Sequence, residues 1–224
     1  DPSMLERLGT AQTMFFDKTG TLTYGRPQLV STHIVPGVDA EQVLTWVASV
    51  EQFSRHPLAS AVLEATTQPL MSPESVEEVP GHGLVASVDG REIEITGRKA
   101  LVTRMPEAKD LLPDEAIGLE CVVLVDGEYC ATLQFRDEPR KGALSFIQHL
   151  PANHQVQRSI LLSGDRQSEV DYLAQRVGLS EAYASVSPEE KLRMVREETE
   201  RGPTVFMGDG IIDAPAMTAA TVGI

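Results

Sequence analysis

Polar side chains that could carry chemistry stand next to short apolar runs and turns at separate places in this sequence. Asp17 follows AQTMFF, Ser163 follows SILL, Asp209 and Asp213 follow TVFM, and Lys191 follows the turn residues SVSPEE. A carboxylate at the tip of a strand can attack a phosphoryl group and form an acyl phosphate. A lysine supplies the positive charge that a transferring phosphoryl group needs, and crowded carboxylates favour a divalent cation such as Mg²⁺. These residue types predict phosphoryl-transfer chemistry with Asp17 as the nucleophile.

The elements that must position these residues alternate between helix and strand along residues 138–224. Helical patterns such as RQSEVDYLAQRVG and PEEKLRMVREETER separate the short apolar runs QRSILLS, AYAS, TVFMG and TVGI. Such alternation predicts an α/β fold, a doubly wound parallel sheet with helices on both faces, to which the strand before Asp17 also belongs. In such a sheet the loops beyond the carboxyl ends of the strands form the binding crevice, so we expect the polar residues to converge there. Ser163 and the backbone N–H groups of the loop at Gly20 can then donate to phosphate oxygens.

The segment between the first strand and the rest has a different pattern. A helix is predicted after Asp39 and another from Pro57, and the dipeptides Asp89-Gly90 and Asp126-Gly127 predict two hairpins. This pattern indicates an inserted α+β domain built on an antiparallel sheet. We therefore predict one domain from residues 1–26 and 136–224 and an inserted domain from residues 27–135, with hinges near residues 24–27 and 136–139.

Charge and apolar run lengths narrow the class of protein. The 224 residues carry a formal charge of −14, from 19 Lys and Arg against 33 Asp and Glu. This excess of acid argues against a nucleic-acid partner, which would want a basic face, but it does not exclude a nucleotide. No apolar run approaches the ~18 residues of a membrane span, and no signal peptide is visible. Because the chain starts abruptly and ends in the apolar run AATVGI, we expect it to be a soluble piece excised from a longer protein.

The two cysteines, Cys121 and Cys130, flank the Asp126-Gly127 turn. With a two-residue loop, Cys130 would face Val123 across the hairpin, so no disulfide is predicted and no oxidising compartment is indicated.

Several motifs together resemble a known signature. These motifs are, in chain order, DKTGTLT, SGD, a lysine after SP-x-x, and GDG-x-x-DAPAM. In the order and spacing of these motifs across the whole chain, the chain resembles P-type ATPases, which are ion pumps of the haloacid-dehalogenase-like superfamily. The resemblance implies that Asp17 is phosphorylated by ATP and that Ser163 and Lys191 bind the phosphoryl group.

The same resemblance implies a Mg²⁺ site. The ion would be held by Asp17, the backbone carbonyl of Thr19 and Asp209, and Asp213 would support that site.

The identity of residue 19 also distinguishes two kinds of enzyme in the superfamily, the P-type ATPases and the soluble phosphatases. Soluble phosphatases with a cap domain typically carry an Asp two positions after the nucleophile as general acid and base, and Thr19 argues against that alternative.

The inserted segment resembles the nucleotide-binding domain of heavy-metal-transporting P-type ATPases through EQFSRHPLAS and PGHGLV. By themselves His56 fits a helix start and the glycines fit turns. With the resemblance, His56 would stack on or hydrogen-bond adenine, and Gly81 and Gly83 would let the backbone approach the ligand closely. The residues implied for ATP binding are Glu51, His56, Gly81, Gly83, Gly97 and Arg98. The other histidines, at positions 33, 82, 149 and 154, match no motif and are interpreted as surface residues.

Three positions depart from the family pattern. Ile212 replaces the Asn of G-D-G-x-N-D, Arg98 replaces the Asn of a Gly-Asn pair, and Ser163 stands for the usual Thr. Arg98 could still donate to a phosphate. The apolar side chain of Ile212 cannot make the hydrogen bond that the usual Asn would make at the phosphate site. Loss of such a bond costs ~1–3 kcal/mol, so we expect phosphorylation of Asp17 to proceed at a reduced rate.

The leading interpretation is therefore the cytoplasmic ATP-binding and autophosphorylating portion of a heavy-metal pump of the cell membrane. Its partners would be ATP and ADP, the transmembrane domain that handles the transported metal, and the actuator domain that dephosphorylates Asp17. Family prevalence favours copper as the metal, then zinc or cadmium. The alternatives are the soluble phosphatase and a degenerate module that binds nucleotide without phosphorylation.

Overall fold

The structure is a computed structural model and describes residues 9–224. Its strands are β1 (Thr13–Asp17), β2 (Gln28–Ile34), β3 (Ser75–Val79), β4 (Gly83–Val88), β5 (Arg91–Thr96), β6 (Leu119–Val125), β7 (Glu128–Arg136), β8 (Arg158–Leu162), β9 (Glu181–Tyr183), β10 (Thr204–Met207) and β11 (Val222–Gly223). The α-helices that lie wholly within these residues are α1 (Ala40–Glu51), α2 (Pro57–Ala65), α3 (Arg98–Arg104), α4 (Ala143–Asn153), α5 (Gln167–Val177), α6 (Pro188–Arg201) and α7 (Ala214–Ala219). Across the described part of the chain, no helix is long and apolar enough to cross a membrane.

Contacts between Cα atoms divide the chain into two compact units. One, here called the outer unit, combines the residues up to 26 with residues 137–224, and the other, the inserted unit, comprises residues 27–136. The chain crosses between the units after Arg26 and after Arg136.

The outer unit is built on a parallel sheet. Its strand order is β11-β10-β1-β8-β9, and every neighbouring pair is parallel. Alternate residues of β1 face opposite sides: Phe16 packs with α4 and α5, and Phe15 packs with α6 and α7. Helices therefore cover both faces, and the predicted doubly wound parallel sheet is confirmed.

The inserted unit is built on an antiparallel sheet in the order β2-β7-β6-β5-β4-β3. Helices α1 and α2 pack on one face through residues such as Val47 and Val62, which are almost fully buried with Ile93 and Leu133 of the sheet. Helix α3 and a short 3-10 helix at Pro106–Asp110 pack on the other face against Val122 and its neighbours. The predicted α+β insertion is confirmed as a fold.

One detail of the β6–β7 hairpin differs from the prediction. The two-residue turn at Asp126-Gly127 forms, but Val123 pairs with Ala131 because the register shifts between Val123 and Leu124. The prediction that Cys130 faces Val123 is wrong, since a β-bulge offsets the strand by one residue. Cys121 and Cys130 are free thiols, as expected.

Candidate active site

A cavity of about 300 Å³ lies in the outer unit at the carboxyl ends of its parallel strands. Strands β8 and β10 flank β1 on opposite sides, so the strand order reverses there, and a doubly wound sheet opens its binding crevice at such a point. The structure brings together in this cavity all the residues that the sequence nominated for phosphoryl transfer. The lining includes Asp17, Thr19, Ser163, Lys191, Asp209, Ile212 and Asp213.

Lys191 is the electrostatic centre of the cavity. Its Nζ donates to Asp17 Oδ1 at 2.6 Å and to Asp213 Oδ1 at 2.9 Å, and all three side chains are buried. Burial raises the pKa of Asp17, against the hydrogen bond from Lys191, which favours the charged carboxylate. Burial alone would lower the pKa of Lys191, but its bonds to the two aspartates outweigh this effect and raise that pKa above its usual range. The ammonium group therefore compensates two buried carboxylates at once.

Helix α6 holds Lys191 in place through its first turn. Ser187 Oγ accepts from the Glu190 backbone N at 3.2 Å, and Glu190 Oε2 accepts from the Ser187 backbone N at 2.9 Å. This reciprocal pair is a capping box, and Pro188 at the first helical position fits it. Lys191 directly follows Glu190, the last residue of the capping box. The capped first turn therefore fixes the backbone position from which the Lys191 side chain reaches the cavity.

The loop after Asp17 is held by residues that the sequence analysis did not nominate. Arg140 donates through Nη2 to the Gly20 carbonyl at 2.8 Å and through Nε to the Thr23 carbonyl at 3.0 Å. Asp137 accepts from Thr23 Oγ1 at 2.6 Å. Gly20 has a φ of 76°, a conformation that glycine adopts without strain. These contacts join segments more than a hundred positions apart, and no local pattern signals them.

Ser163 is buried at the end of β8, and its Oγ accepts from the Asp165 backbone N at 3.1 Å. Asp165 also lines the cavity and pairs with Lys18 Nζ at 2.7 Å. The Ser163 hydroxyl hydrogen is not used in that bond, so the hydroxyl can donate to a phosphoryl oxygen.

The predicted convergence of three carboxylates is only partly realised. Within residues 9–224, no group of three or more His, Cys, Asp or Glu side chains is placed to hold a metal ion. Asp17 and Asp213 meet at Lys191, whereas Asp209 lines the same cavity from an exposed position. Asp17, Asp209 and Thr19 nevertheless line the same cavity and carry oxygen atoms of the kind that Mg²⁺ uses, which are commonly one or two carboxylates with phosphate oxygens and water.

The inserted unit has a cavity of its own, of about 400 Å³. Its lining includes four of the residues nominated for nucleotide binding: Glu51, His56, Gly83 and Gly97. Glu51 is 6% exposed, and its Oε2 atom has no hydrogen-bond partner. A buried carboxylate oxygen without a partner is costly, so it marks a place where a ligand could donate a hydrogen bond. His56 caps helix α2, since its Nδ1 accepts from the Leu58 backbone N at 3.2 Å.

The two other residues nominated for nucleotide binding do not line this cavity. Arg98 donates to both carboxylate oxygens of Glu120, through Nε at 2.5 Å and Nη2 at 3.1 Å, and to the Pro113 carbonyl at 2.7 Å. Its guanidinium is thus engaged by Glu120, which does line the cavity. Gly81 has a φ of 80° and lies in the turn between β3 and β4, outside the lining residues.

The fold and the site together define a class. The family model described as haloacid dehalogenase-like hydrolase matches residues 11–221 of the chain. The chain belongs to this family, as the sequence motifs predicted.

Within that class the chain is similar to heavy-metal P-type ATPases over nearly its whole length. It is 38% identical to the manganese-exporting P-type ATPase of Mycobacterium tuberculosis, covering 99% of this chain and 32% of that protein. It is 37% identical to the zinc-exporting P-type ATPase of Mycobacterium marinum, with the same coverage. The copper-transporting ATPase 2 of Rhizobium meliloti is 33% identical, over 98% of this chain and 27% of that protein. The chain spans about a third of the length of the curated relatives it matches.

Solved structures give the same result. A zinc-transporting PIB-type ATPase in its E2.Pi state superposes with a TM-score of 0.81 at 31% identity, over 99% of this chain and 37% of that one. The catalytic domain of the CPx-ATPase CopB-B, from work on conformational changes upon nucleotide binding, gives a TM-score of 0.60 at 26% identity. That match covers 97% of this chain and 79% of that domain. The predicted resemblance to this group of ATPases is confirmed.

Proposed function

We propose that this chain is the ATP-binding and autophosphorylating part of a heavy-metal cation-transporting P-type ATPase. The observation that carries the proposal is the Asp17 carboxylate, buried at the tip of β1 and bonded to Lys191 at 2.6 Å inside a cavity lined by the other nominated residues.

In the proposed reaction, a carboxylate oxygen of Asp17 attacks the γ-phosphorus of ATP. An O–P bond to Asp17 forms, the bond between the γ-phosphorus and the bridging oxygen breaks, and ADP leaves with the electron pair of that bond. Lys191 donates to the transferring phosphoryl oxygens and offsets their developing charge, while Asp213 keeps its ammonium group in place. Ser163 supplies a second donor from the end of β8.

Mg²⁺ would be held by Asp17, Asp209 and the Thr19 carbonyl, and it would supply positive charge next to the phosphate oxygens.

The side chain of Thr19 has a second role, in the lifetime of the phosphorylated Asp17. Because it lacks an acidic group, it cannot activate water against the acyl phosphate, so the phosphorylated Asp17 should persist.

The inserted unit would bind the nucleotide in its cavity. The unpartnered Oε2 atom of Glu51 could accept from an amino group of the base, and His56 also lines this cavity. Gly83 and Gly97 contribute wall positions without side chains. Of the six residues nominated for ATP binding, these four are supported by their placement, whereas Arg98 would act on the site only through Glu120.

In the parent pump we propose that this phosphorylation drives metal export across the cell membrane from the cytoplasmic side. The transmembrane and actuator domains would be the partners of this chain. The named relatives are manganese-exporting, zinc-exporting and copper-transporting ATPases, and manganese was not among the metals expected from family prevalence. Copper remains a prediction that the residues of this chain do not test.

A second candidate is a module that binds nucleotide without phosphorylation. It is favoured by Ile212, which lines the Asp17 cavity with an apolar side chain, and by the engagement of Arg98 with Glu120. The two candidates differ in one measurement on the intact chain with Mg²⁺ and ATP carrying a radioactive γ-phosphate. An acid-stable, hydroxylamine-labile label supports the first, and calorimetric ATP binding without any label supports the second. Rapid hydrolysis of p-nitrophenyl phosphate would instead support a phosphatase.

A further inference from the structure

The turn at Gly81–Gly83 leads into the wall of the inserted unit's cavity, which it reaches at Gly83. Gly81 and Gly83 have φ values of 80° and 89°. A Cβ atom built on Gly83 collides with the Ile95 carbonyl oxygen, so the turn lies directly on strand β5. Gly83 and Ile95 both line the cavity, and the position of the turn therefore sets the shape of that wall.

One arginine holds this turn. Arg104, the last residue of α3, donates through Nη1 to the Gly81 carbonyl at 3.1 Å and through Nη2 to Glu94 Oε1 at 2.5 Å. Glu94 is 7% exposed, and its other oxygen lies 3.4 Å from His82 Nδ1. A single carboxylate on β5 thus anchors the turn twice, directly through His82 and indirectly through Arg104. We call Glu94, Arg104 and His82 the turn clasp.

The turn clasp is a small part of what joins the turn region to the sheet. Strands β4 and β5 already pair along their length, from Leu84 with Ile95 to Val88 with Arg91. A buried ion pair is also a poor source of net stability, because desolvation of both charges offsets their attraction. Its geometry is well suited to fixing position, since the guanidinium binds two acceptors in a rigid fork.

We propose that Glu94 and Arg104 are positioning residues for nucleotide binding: they hold the Gly81–Gly83 turn so that the cavity wall is formed before the ligand arrives. The inference rests on the proposed function of the inserted unit as the ATP site. Neither side chain touches the ligand in this scheme. The effect passes through the turn, and preorganised walls bind more tightly because less ordering remains to be done.

The test compares variants of the intact chain by calorimetric titration with ATP and by thermal unfolding. Arg104→Met removes both bonds of the fork and should raise the Kd for ATP about tenfold, the effect of one misplaced hydrogen bond. Arg104→Lys keeps the positive charge beside Glu94 but loses the fork, so it should keep the thermal midpoint and still bind ATP more weakly. Arg91→Met is the matched control, because it removes another arginine–carboxylate pair of β5, with Asp126, at a site outside the cavity lining.

A second measurement distinguishes displacement of the Gly81–Gly83 turn from a general loss of order in the inserted unit. With glycine-selective nitrogen isotope labelling, the amide resonances of Gly81 and Gly83 should move in both Arg104 variants, while that of Gly127, in a turn remote in sequence, should not. Wild-type affinity in folded Arg104→Met, or in Arg104→Lys if the former does not fold, would overturn this inference alone. Absence of ATP binding by the wild-type chain would overturn the proposed function, and this inference with it.

Discussion

Lys191 bonds to Asp17 and Asp213 at once, so the charge at the tip of β1 depends on a single side chain of helix α6. The sequence pattern predicted these residues at one site because strand-to-helix loops of a parallel sheet meet at one edge, and in the structure all three line one cavity. It assigned Lys191 to the transferring phosphoryl group, and the structure adds that the ammonium group of Lys191 also bonds to both carboxylates. Residue types and spacing do not reveal how far a lysine side chain reaches, so this double contact could not be predicted.

Ile212 provides the first prediction at this scale. Its side chain is 65% exposed, so Ile212→Asn should leave the fold unchanged while restoring an amide at the phosphate site. The rate of phosphoenzyme formation should rise about tenfold, the value of one hydrogen bond in the transition state. Ile211→Asn is the control, because this neighbour is 87% exposed and does not line the cavity. Equal rates for the wild type and Ile212→Asn in acid-quench experiments would show that Ile212 is not limiting.

Cys121 gives a prediction about pH. Burial, with the nearby charges of Glu51 and Glu120, raises the pKa of Cys121 to about 12. The unfolded thiol ionises near pH ~8.5 while the folded thiol stays protonated, so its contribution to stability is intact below that pH and falls as the pH rises. Relative to Cys121→Ala, the free energy of unfolding should drop by about 1.4 kcal/mol per pH unit above ~9. Urea titrations across this range measure it, and parallel curves for the two proteins would contradict it.

At the scale of elements, the capping box of α6 links helix stability to the site. Ser187→Ala should lower the free energy of unfolding by ~1 kcal/mol, because the first turn loses its side-chain acceptor. It should also lower the phosphoenzyme yield at saturating ATP, since Lys191 follows the box directly.

Asp39→Ala is the matched control for this effect. Asp39 caps α1 in the inserted unit, where its Oδ1 accepts from the Glu41 backbone N at 3.2 Å. It should lose a similar amount of stability in urea titrations and leave the yield at saturating ATP unchanged. If the two variants reduced the yield equally, the link between the α6 cap and Lys191 would be wrong.

Some features of the helices and strands could be predicted from the sequence, and others could not. The helix starts, the two Asp-Gly turns and the alternation of helix and strand follow from local patterns, so they were predictable. The bulge that offsets Cys130, the pair of Arg98 with Glu120 and the turn clasp depend on the register of strands. Register is set by packing across the sheet, which a single sequence does not display. His82, interpreted as a surface residue, lies beside the buried Glu94 for this reason.

At the scale of the whole molecule, the inserted unit has its own sheet and its own core, and it is continuous in sequence from Pro27 to Arg136. Residues 27–136 should therefore fold alone, show one cooperative thermal transition, and bind ATP within about threefold of the affinity of the intact chain. Circular dichroism and calorimetry test this expectation. A folded fragment that fails to bind ATP, beside an intact chain that does bind it, would mean that the nucleotide site is not contained in this unit.

The central claim is that Asp17 accepts the γ-phosphate of ATP. The most direct measurement incubates the intact wild-type chain and Asp17→Asn, side by side, with Mg²⁺ and ATP carrying a radioactive γ-phosphate, followed by acid quench. We expect a hydroxylamine-labile label on the wild type and none on Asp17→Asn, with ATP binding unchanged in calorimetry. Equal labelling of both proteins, or ATP binding by the wild type with no label at all, would contradict it.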